Sequence, residues 1–422
     1  MLGFRFASSQ PTTTDNIMIR AEPENFPMNR RNPLLSARIH IVGLAALLVS
    51  VLSGCGALSS LTEGDDNRVL PTELEPIEHS LPVRRLWSAE VGGSDEEQPF
   101  DLRPAFLEGR IYVAGSEGVV TALDAATGRR VWRVELQARI VGGVGVGEGL
   151  VVVSTERGDV LALHPDDGRE VWRTPVGSLA LAPVALAEGY AVVRTGDGKV
   201  RGLSAADGVE VWVQERRLPA LTLRGVGAPV IQAGKVIAGM DNGRVIVVDL
   251  ARGHPVWERT IASPSGRSEL ERMVDIDADP RPYQDKLYVA AFQGRLMEIN
   301  FEDGSVNWAR SFSSHTGMDV GPLRLLITDE EGELWVFERI SGEPLLKQSA
   351  LRGRGPTAPR RLGSHVVVGD FEGYVHWFSL ETGETAARVR VDDAGIGVAP
   401  LVVGDVVFVL SKGGVLSALQ GG

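Results

Sequence analysis

Histidine and cysteine are the side chains in this sequence that most readily bind metals or act as nucleophiles. Cys55 is the only cysteine of the chain. Six histidines follow residue 54, namely His79, His164, His254, His315, His365 and His376. They do not pair at the spacing of metal ligands, and a lone cysteine supports neither a zinc-thiolate site nor a dithiol redox site. We therefore interpret the histidines as structural or exposed residues.

Paired carboxylates and glycine-rich segments could support acid–base chemistry or hold a phosphate group. Asp166-Asp167 and Glu330-Glu331 fall in predicted hairpin turns, where exposure to solvent explains them. No helical pattern follows Gly142-Gly143-Val144-Gly145 to complete a phosphate site. We interpret that segment as a close approach of backbones near the axis of the fold. No nucleophile elbow or P-loop stands at a strand-to-helix turn, so the sequence predicts no enzyme, no metal ion and no cofactor.

Two segments carry residue types that are suited to protein recognition. The first places Leu221 and Leu223 beside Arg224. The second contains Asp275 and Asp277, which share one side if the segment is extended. Apolar anchors ringed by charges are typical of protein-binding sites. The arginine and the two aspartates could equally pair with one another and brace the two segments, and the residues alone leave both interpretations open.

The elements that position these residues follow from a repeat, in which a turn ending in glycine precedes a tryptophan by four residues. The repeats end at Trp132, Trp172, Trp212, Trp257 and Trp308, and weaker copies end at Leu346 and Ala387. A period of about 40 residues, with short β-branched runs between Gly and Asp turns, predicts four antiparallel strands per repeat. Such sheets bury both faces when they pack radially as propeller blades. Each tryptophan is then predicted to pack between neighbouring blades.

Seven complete repeats precede an incomplete eighth, which starts at Ala399 and ends before its last strand. Residues 85–91, which include Trp87, match the missing strand. The sequence thus predicts an all-β fold, an eight-bladed β-propeller with four antiparallel strands per blade. The N-terminal strand completes the last blade and closes the ring, which removes exposed sheet edges.

The connections between repeats are unequal in length. Four of them span 11 to 14 residues, but the connection from Trp212 to Pro229 spans 17 and that from Trp257 to Pro280 spans 23. These two are consecutive and of the same type, so we expect them to emerge side by side on one face. They contain the recognition residues, and insertions between regular repeats are where function concentrates.

The N-terminal segment has the features of a secretion signal. Residues 39–52 are almost all apolar, follow a cluster of arginines, and are shorter than the roughly 20 residues that span a bilayer. We predict an N-terminal extension with a signal peptide in residues 1–54. A flexible tether in residues 55–84 and the propeller in residues 85–422 follow. Met28 would be a better start for such a signal.

Net charge argues against one class of partner. The chain carries −12, and residues 1–54 contain five arginines and three acidic residues, so the remainder carries about −14. An acidic body of this kind argues against nucleic-acid binding. Leu52-Ser53-Gly54-Cys55 resembles the cleavage box of bacterial lipoproteins, which implies a membrane anchor through lipid on Cys55. By the same resemblance, Gly56, the residue that follows the lipidated cysteine, favours localisation in the outer membrane over retention in the inner membrane.

Several features together resemble the BamB family over about residues 40–422. They are the lipoprotein box, the eight tryptophan-type repeats, the Leu-x-Leu-Arg-Gly element that starts at Leu221, and the Glu-x-x-Arg-x-x-Asp-x-Asp element that ends at Asp277. Members of that family are lipoprotein subunits of the outer-membrane β-barrel assembly machinery. The resemblance implies a non-catalytic scaffold that faces the periplasm, binds the POTRA domains of the barrel subunit BamA and assists unfolded outer-membrane protein clients. It also implies that Leu221, Leu223, Arg224, Asp275 and Asp277 contact BamA.

Two alternatives stay open from the sequence. A propeller lipoprotein of this kind could bind another partner in the envelope. The segment from Ala122 to Trp132 also resembles the repeat of pyrroloquinoline-quinone alcohol dehydrogenases, which are eight-bladed enzymes. Those enzymes are usually longer, and many carry adjacent cysteines, which this chain lacks. No evident cluster of Asp, Asn and Glu would hold their calcium and quinone.

Overall fold

A computed structural model describes residues 69–78, 80–93, 100–217, 219, 227–265, 267–268 and 272–421. Within those residues every regular element is a β-strand, and the strands form eight antiparallel sheets of four, the blades. The prediction of an all-β, eight-bladed propeller is therefore confirmed. In the described part of the chain, no helix has the length and apolar character needed to cross a membrane.

The first four blades follow the strand β1 (Val83–Glu90) in chain order. Blade 1 consists of β2 (Ala105–Leu107), β3 (Arg110–Gly115), β4 (Val119–Asp124) and β5 (Arg130–Glu135). Blade 2 consists of β6 (Ile140–Gly147), β7 (Leu150–Thr155), β8 (Asp159–Leu163) and β9 (Glu170–Pro175). Blade 3 consists of β10 (Ala185–Ala187), β11 (Tyr190–Thr195), β12 (Lys199–Ser204) and β13 (Glu210–Glu215). Blade 4 consists of β14 (Val230–Gln232), β15 (Lys235–Gly239), β16 (Arg244–Asp249) and β17 (Pro255–Thr260).

The remaining blades repeat this plan. Blade 5 consists of β18 (Arg281–Tyr283), β19 (Lys286–Ala290), β20 (Gly294–Asn300) and β21 (Val306–Phe312). Blade 6 consists of β22 (Met318–Val320), β23 (Arg324–Thr328), β24 (Leu334–Glu338) and β25 (Pro344–Gln348). Blade 7 consists of β26 (Arg360–Leu362), β27 (His365–Gly369), β28 (Tyr374–Ser379) and β29 (Thr385–Arg390). Blade 8 contributes only β30 (Leu401–Val403), β31 (Val406–Leu410) and β32 (Val415–Gly421) in sequence.

The N-terminal strand supplies the fourth strand of blade 8. β1 pairs antiparallel with β32, from Val83 opposite Gly421 to Glu90 opposite Val415. The ring is therefore closed by backbone hydrogen bonds between the two ends of the propeller, as the sequence predicts. Such closure covers the sheet edge that would otherwise be exposed.

The first strands of successive blades contact one another and line a central channel. In blade 2 this requires glycine, because a side chain at Gly142 or Gly145 would collide with the carbonyl oxygens of Ala180 and Val184. Gly142 and Gly145 belong to the glycine-rich segment of the sequence. The interpretation of that segment as close backbone packing near the axis is confirmed.

Each repeat tryptophan lies across the boundary to the next blade. The indole of Trp172 covers the turn at Gly208, where φ is +73° and a Cβ atom would collide with the ring. Its Nε1–H donates to the carbonyl oxygen of Ala205 at 2.9 Å. The same two contacts recur from Trp87 to Trp308. Within one blade, the tryptophan therefore packs against the next blade, and the turn glycine packs against the tryptophan of the preceding blade.

A β-bulge before the tryptophan position turns the indole toward the neighbouring blade. In blade 3, Trp212 pairs with Gly202, and the register then shifts so that Glu210 pairs with Leu203. The skipped residue, Val211, is 49% exposed on the outer strand. A register shift occurs at the outer pair of all eight blades. Bulges of this kind redirect side chains at sheet edges.

Blades 6 and 7 lack the repeat tryptophan, and each compensates for it with different neighbouring residues. In blade 6, Leu346 takes the place of the indole against the turn at Gly383. In blade 7 the equivalent residue is Ala387, and blade 8 has no turn before its fourth strand because that strand comes from the N-terminus. Leu81 and Val83 pack on the core cluster around Ala387 instead. The split blade therefore removes the surface on which a tryptophan would lie.

Replacing one repeat tryptophan tests the contribution of the inter-blade contact. We expect Trp172→Ala to lower the free energy of unfolding by about 3–5 kcal/mol, since a buried indole and its hydrogen bond are lost. Urea denaturation followed by circular dichroism measures the change.

The matched control is Val211→Ala, on an equivalent outer strand but 49% exposed. It should change the free energy of unfolding by no more than about 0.5 kcal/mol. Equal losses in the two variants would contradict the role assigned to the tryptophan.

Candidate functional site

The connections between blades reach one end of the central channel, which we call the channel mouth. A cavity of about 880 Å³ at the mouth is lined by Asp101 before blade 1, Asp277 before blade 5, Gly317 before blade 6 and Ala358 before blade 7. The long connections, from blade 3 to blade 4 and from blade 4 to blade 5, end there too. Their described ends lie close together, since Asp277 and Asp279 line the cavity and Ala228 donates a hydrogen bond to Asp279.

A buried charge cluster holds the second long connection where it rejoins the ring. Arg194 of β11 forms an ion pair with Asp241, and its Nη2 lies 3.8 Å from Oδ1 of Asp275. All three side chains are buried, and Asp275 is fully inaccessible to solvent. Burial lowers the pKa of Arg194, and the negative charges of Asp275 and Asp277 oppose that shift. The cluster joins blades 3 and 4 to the connection that follows them.

Asp279 joins the ends of both long connections. Its Oδ1 accepts a hydrogen bond from the backbone N–H of Ala228 at 2.8 Å, and Ala228 ends the first long connection. Asp279 itself ends the second connection, one residue before Pro280. One carboxylate therefore fixes the separation of the two connections at their inner ends.

Arg103 reaches Asp279 from the opposite side of the ring. It precedes blade 1, and blade 5 is the blade opposite blade 1 in a ring of eight, so this ion pair crosses the channel. Arg103 Nη2 donates to Asp279 Oδ1 at 3.2 Å, and its Nε donates to Asp101 at 2.9 Å. Burial would raise the pKa of Asp279, but the charge and hydrogen bonds of Arg103 outweigh it and hold that pKa well below its usual range. Burial likewise disfavours charged Arg103, but Asp101 and Asp279 raise its pKa.

Some of the predicted recognition residues lie within the described residues and the others lie outside them. Asp275 and Asp277, near the end of the second long connection, are buried, with exposures of 0% and 9%. Leu221, Leu223 and Arg224 lie outside the described residues, as does Cys55. Asp275 contacts Arg194, a partner that the sequence did not suggest, and its pairing with Arg224 stays a prediction. Contact of the five residues with a protein partner stays a prediction.

Sequence reasoning missed Arg103, Arg194, Asp241 and Asp279, although one signal for two of them is present. Most blades begin with a proline that follows alanine or glycine, as in Ala182-Pro183, Ala228-Pro229, Gly321-Pro322, Ala358-Pro359 and Ala399-Pro400. Only Arg103-Pro104 and Asp279-Pro280 place a charged residue there, and the charges are opposite. A charge that replaces a small residue at the start of a blade points into the channel.

The histidines and carboxylates are not arranged as a metal centre. Among the described residues, no group of three or more His, Cys, Asp or Glu side chains could hold a metal ion. His376 is buried in blade 7, where its Nε2 lies 3.0 Å from Asp370 Oδ2, and Asp370 also pairs with Arg354. Burial lowers the pKa of His376, although Asp370 favours its charged form. The structural interpretation of this histidine is confirmed.

Comparison with known proteins decides the family. A family profile described as "Outer membrane protein assembly factor BamB" matches residues 84–142 and 116–348. The protein of that name from Alkalilimnicola ehrlichii is 47% identical over 90% of this chain and 96% of its own length. The one from Pseudomonas aeruginosa is 46% identical over 89% of this chain and 97% of its own length. This chain belongs to the BamB family.

Solved structures agree with that assignment. The crystal structure of BamB from Moraxella catarrhalis superposes with a TM-score of 0.74 and 26% identity, covering 80% of this chain and 100% of the other. The quinohemoprotein alcohol dehydrogenase from Comamonas testosteroni superposes with a TM-score of 0.62 at 14% identity, covering 80% of this chain and 76% of its own. That second likeness concerns the fold alone. Relatives that match the whole propeller are named as outer-membrane protein assembly factors.

Asp279→Asn tests the ion pair across the channel. We expect the free energy of unfolding to fall by about 1–3 kcal/mol, because Arg103 loses one of its two buried, charged partners. Urea denaturation measures it. Asp393→Asn is the control, since Asp393 is 87% exposed in its pair with Arg390 and should change stability very little. A similar loss of stability in both variants would contradict the stabilising role of the ion pair between Arg103 and Asp279.

Acidification should reduce the difference between the wild type and Asp279→Asn. The pKa of Asp279 is lower in the folded protein than its ordinary value of 3.8, so its charge stabilises the fold at neutral pH. As the pH falls through about 4, the unfolded chain is protonated first and the contribution declines. Unfolding free energies measured at several pH values between neutral pH and pH 3 test this. A difference that grew on acidification would contradict it.

Proposed function

We propose that this protein is a non-catalytic scaffold lipoprotein of the outer-membrane β-barrel assembly complex. In this proposal lipid on Cys55 anchors it to the outer membrane, and the propeller faces the periplasm. The two long connections bind the POTRA domains of BamA, and the complex assists unfolded outer-membrane protein clients. The observation that carries the proposal is a pair of adjacent insertions held by buried ion pairs in a chain of the BamB family.

The contacts at the inner ends of the two connections support the proposal of a preorganised binding surface. Asp279 links the ends of both connections, and Arg103 ties that link to the far side of the ring. Binding costs less when loops are already ordered, because fewer conformations are lost. Leu221, Leu223 and Arg224 would supply the apolar and cationic contacts with BamA. Asp275, which is fully buried, would act by positioning the second connection rather than by presenting its carboxylate.

Contacts made by the segment before the propeller support the proposal that the lipid anchor is attached near the channel mouth. The backbone N–H of Thr72 donates to the carbonyl oxygen of Arg352 at 2.9 Å, and Arg354 Nη1 donates to Thr72 O at 3.2 Å. Leu81 N–H donates to Ala386 O at 2.7 Å. The part of the predicted tether that the structure describes therefore contacts blades 6 and 7. Flexibility of the whole tether stays a prediction.

This contact limits how far the propeller could move from a lipid on Cys55. Val69 lines the channel mouth, so the chain leaves the propeller at the end that carries the long connections. From Cys55 to Val69 a chain spans at most about 50 Å when fully extended. A partner of the long connections would then lie in the layer of periplasm next to the membrane, where domains of a barrel protein are found.

Clients could pair with the outer strands of the blades. The outer edge of β13 carries Val211 and Val213, which are 49% and 42% exposed, immediately before the first long connection. An exposed strand edge with apolar side chains can accept an extended segment of another chain. This feature supports assistance to unfolded clients at a place next to the proposed BamA contact.

Leu223→Asp and Arg224→Glu test the proposed contact. We expect each variant to bind purified BamA POTRA domains at least about tenfold more weakly, since an apolar anchor is lost or a charge is reversed. Surface plasmon resonance measures the affinity, and affinity purification from detergent-solubilised envelopes shows which proteins accompany the full-length chain.

Ile340→Asp is the matched control. Ile340 is 63% exposed in the turn between β24 and the outer strand β25, and it does not line the channel mouth. It should leave the affinity unchanged. Wild-type affinity in all three variants would reject the site, and recovery of other envelope proteins without BamA would favour the alternative of a propeller that serves another partner.

A further inference from the structure

Some arginines at the channel mouth take no part in the ion pairs that hold the ends of the long connections. The cavity there is lined by Arg103, Arg281 and Arg360, which precede or begin blades 1, 5 and 7. Arg103 is engaged by Asp101 and Asp279. The other two arginines begin the blades on either side of blade 6, and Thr316 and Gly317, which precede blade 6, line the same cavity.

Arg281 has a carboxylate nearby, but that carboxylate is already engaged. Its Nη2 lies 3.8 Å from Asp279 Oδ2, beyond hydrogen-bond distance. Both oxygens of Asp279 accept hydrogen bonds from other donors, Arg103 and the backbone of Ala228. Arg281 Nε is buried and has no hydrogen-bond partner among the described residues. Its guanidinium therefore keeps donors available toward the cavity.

Arg360 lacks a carboxylate partner altogether within the described part of the chain. Its Nη1 donates to the carbonyl oxygens of Pro359 at 2.9 Å and Met318 at 3.4 Å, and no carboxylate lies within 4 Å of it there. Asp319, the acidic residue that most favours its charge, accepts a hydrogen bond from the backbone of Arg361. Burial, together with repulsion by Arg281, lowers the pKa of Arg360 to about 9. Arg360 is half-buried, and a partly desolvated charge without a counter-charge is costly, so a bound anion would reduce that cost.

The acidic side chains that line the cavity are engaged elsewhere. Glu331 pairs with Arg352 at 2.9 Å, and Glu330 accepts a hydrogen bond from Ser313 at 2.5 Å. Asp329 accepts a hydrogen bond from the indole Nε1–H of a neighbouring tryptophan at 2.8 Å. Asp101 and Asp279 pair with Arg103, and the charge of Asp277 acts on Arg194. Each carboxylate that lines the described cavity therefore interacts with a group other than Arg360.

We propose that the channel mouth binds an oxyanion between Arg281 and Arg360. The ligand is a phosphate or carboxylate group, since planar guanidinium groups match the paired oxygens of such groups. It would sit in the part of the cavity that Thr316 and Gly317 line. Small anions and the charged end of a longer chain share this chemistry, and a volume of about 880 Å³ admits either.

Arg360→Gln in the full-length protein separates a binding role from a structural one. Thermal unfolding is followed in chloride buffer, inorganic phosphate and acetate at equal ionic strength. In chloride the variant should unfold at the wild-type temperature or above, because an unpaired, partly desolvated charge is gone. Phosphate should raise the unfolding temperature of the wild type and not that of the variant, since ligands stabilise the state they bind. A purely structural arginine would give a less stable variant with an unchanged response.

Isothermal titration with inorganic phosphate gives the affinity directly. We expect binding at least about tenfold weaker in Arg360→Gln and in Arg281→Gln than in the wild type. Arg169→Gln is the control, because Arg169 is 64% exposed in a turn away from the mouth and the charge change is the same. Binding of phosphate alone would identify a phosphate site, and equal binding of acetate would identify a general oxyanion site. No binding, or equal binding in all variants, would overturn the proposal.

Discussion

The contact on which the rest of this molecule depends is an indole lying on the glycine turn of the next blade. A four-stranded sheet has two faces to cover, and radial packing covers both only if every boundary is filled. Tryptophan fills the boundary with apolar area and one hydrogen bond, and the facing turn needs φ near +70° with no side chain. The contact therefore explains why glycine and tryptophan recur together.

Ring closure turns these pairwise contacts into a fixed channel. Once β1 has paired with β32, the starts of blades 1 and 5 stand opposite each other at a set distance. Only then can Arg103 meet Asp279 and hold the ends of both long connections. Burial of Asp279 strengthens this pair, because less solvent screens it. Arg360 lines the same cavity and has no carboxylate partner within the described residues.

The function proposed for this protein depends on positions that differ from blade to blade. The strands and boundaries are alike from blade to blade, whereas the connections differ in length and the starts of blades differ in charge. The long connections lie at the channel mouth, and the segment that leads toward the proposed lipid anchor leaves the propeller at the same end. A scaffold needs this arrangement, since its partner and its membrane must be reached together.

The repeat by itself determined the all-β class, the eight blades and the closing strand, because the period, the turn glycines and the tryptophans are local and recur. It also placed the long connections, since their lengths can be counted from Trp212 and Trp257. Only the tertiary structure decided that Asp275 is buried against Arg194 and that Asp279 meets Arg103 across the ring. Those partners are separated by 81 and 176 residues in sequence, and their charges become neighbours only when the ring closes. The outer bulge was also absent from the prediction, because it depends on how each strand meets its neighbour.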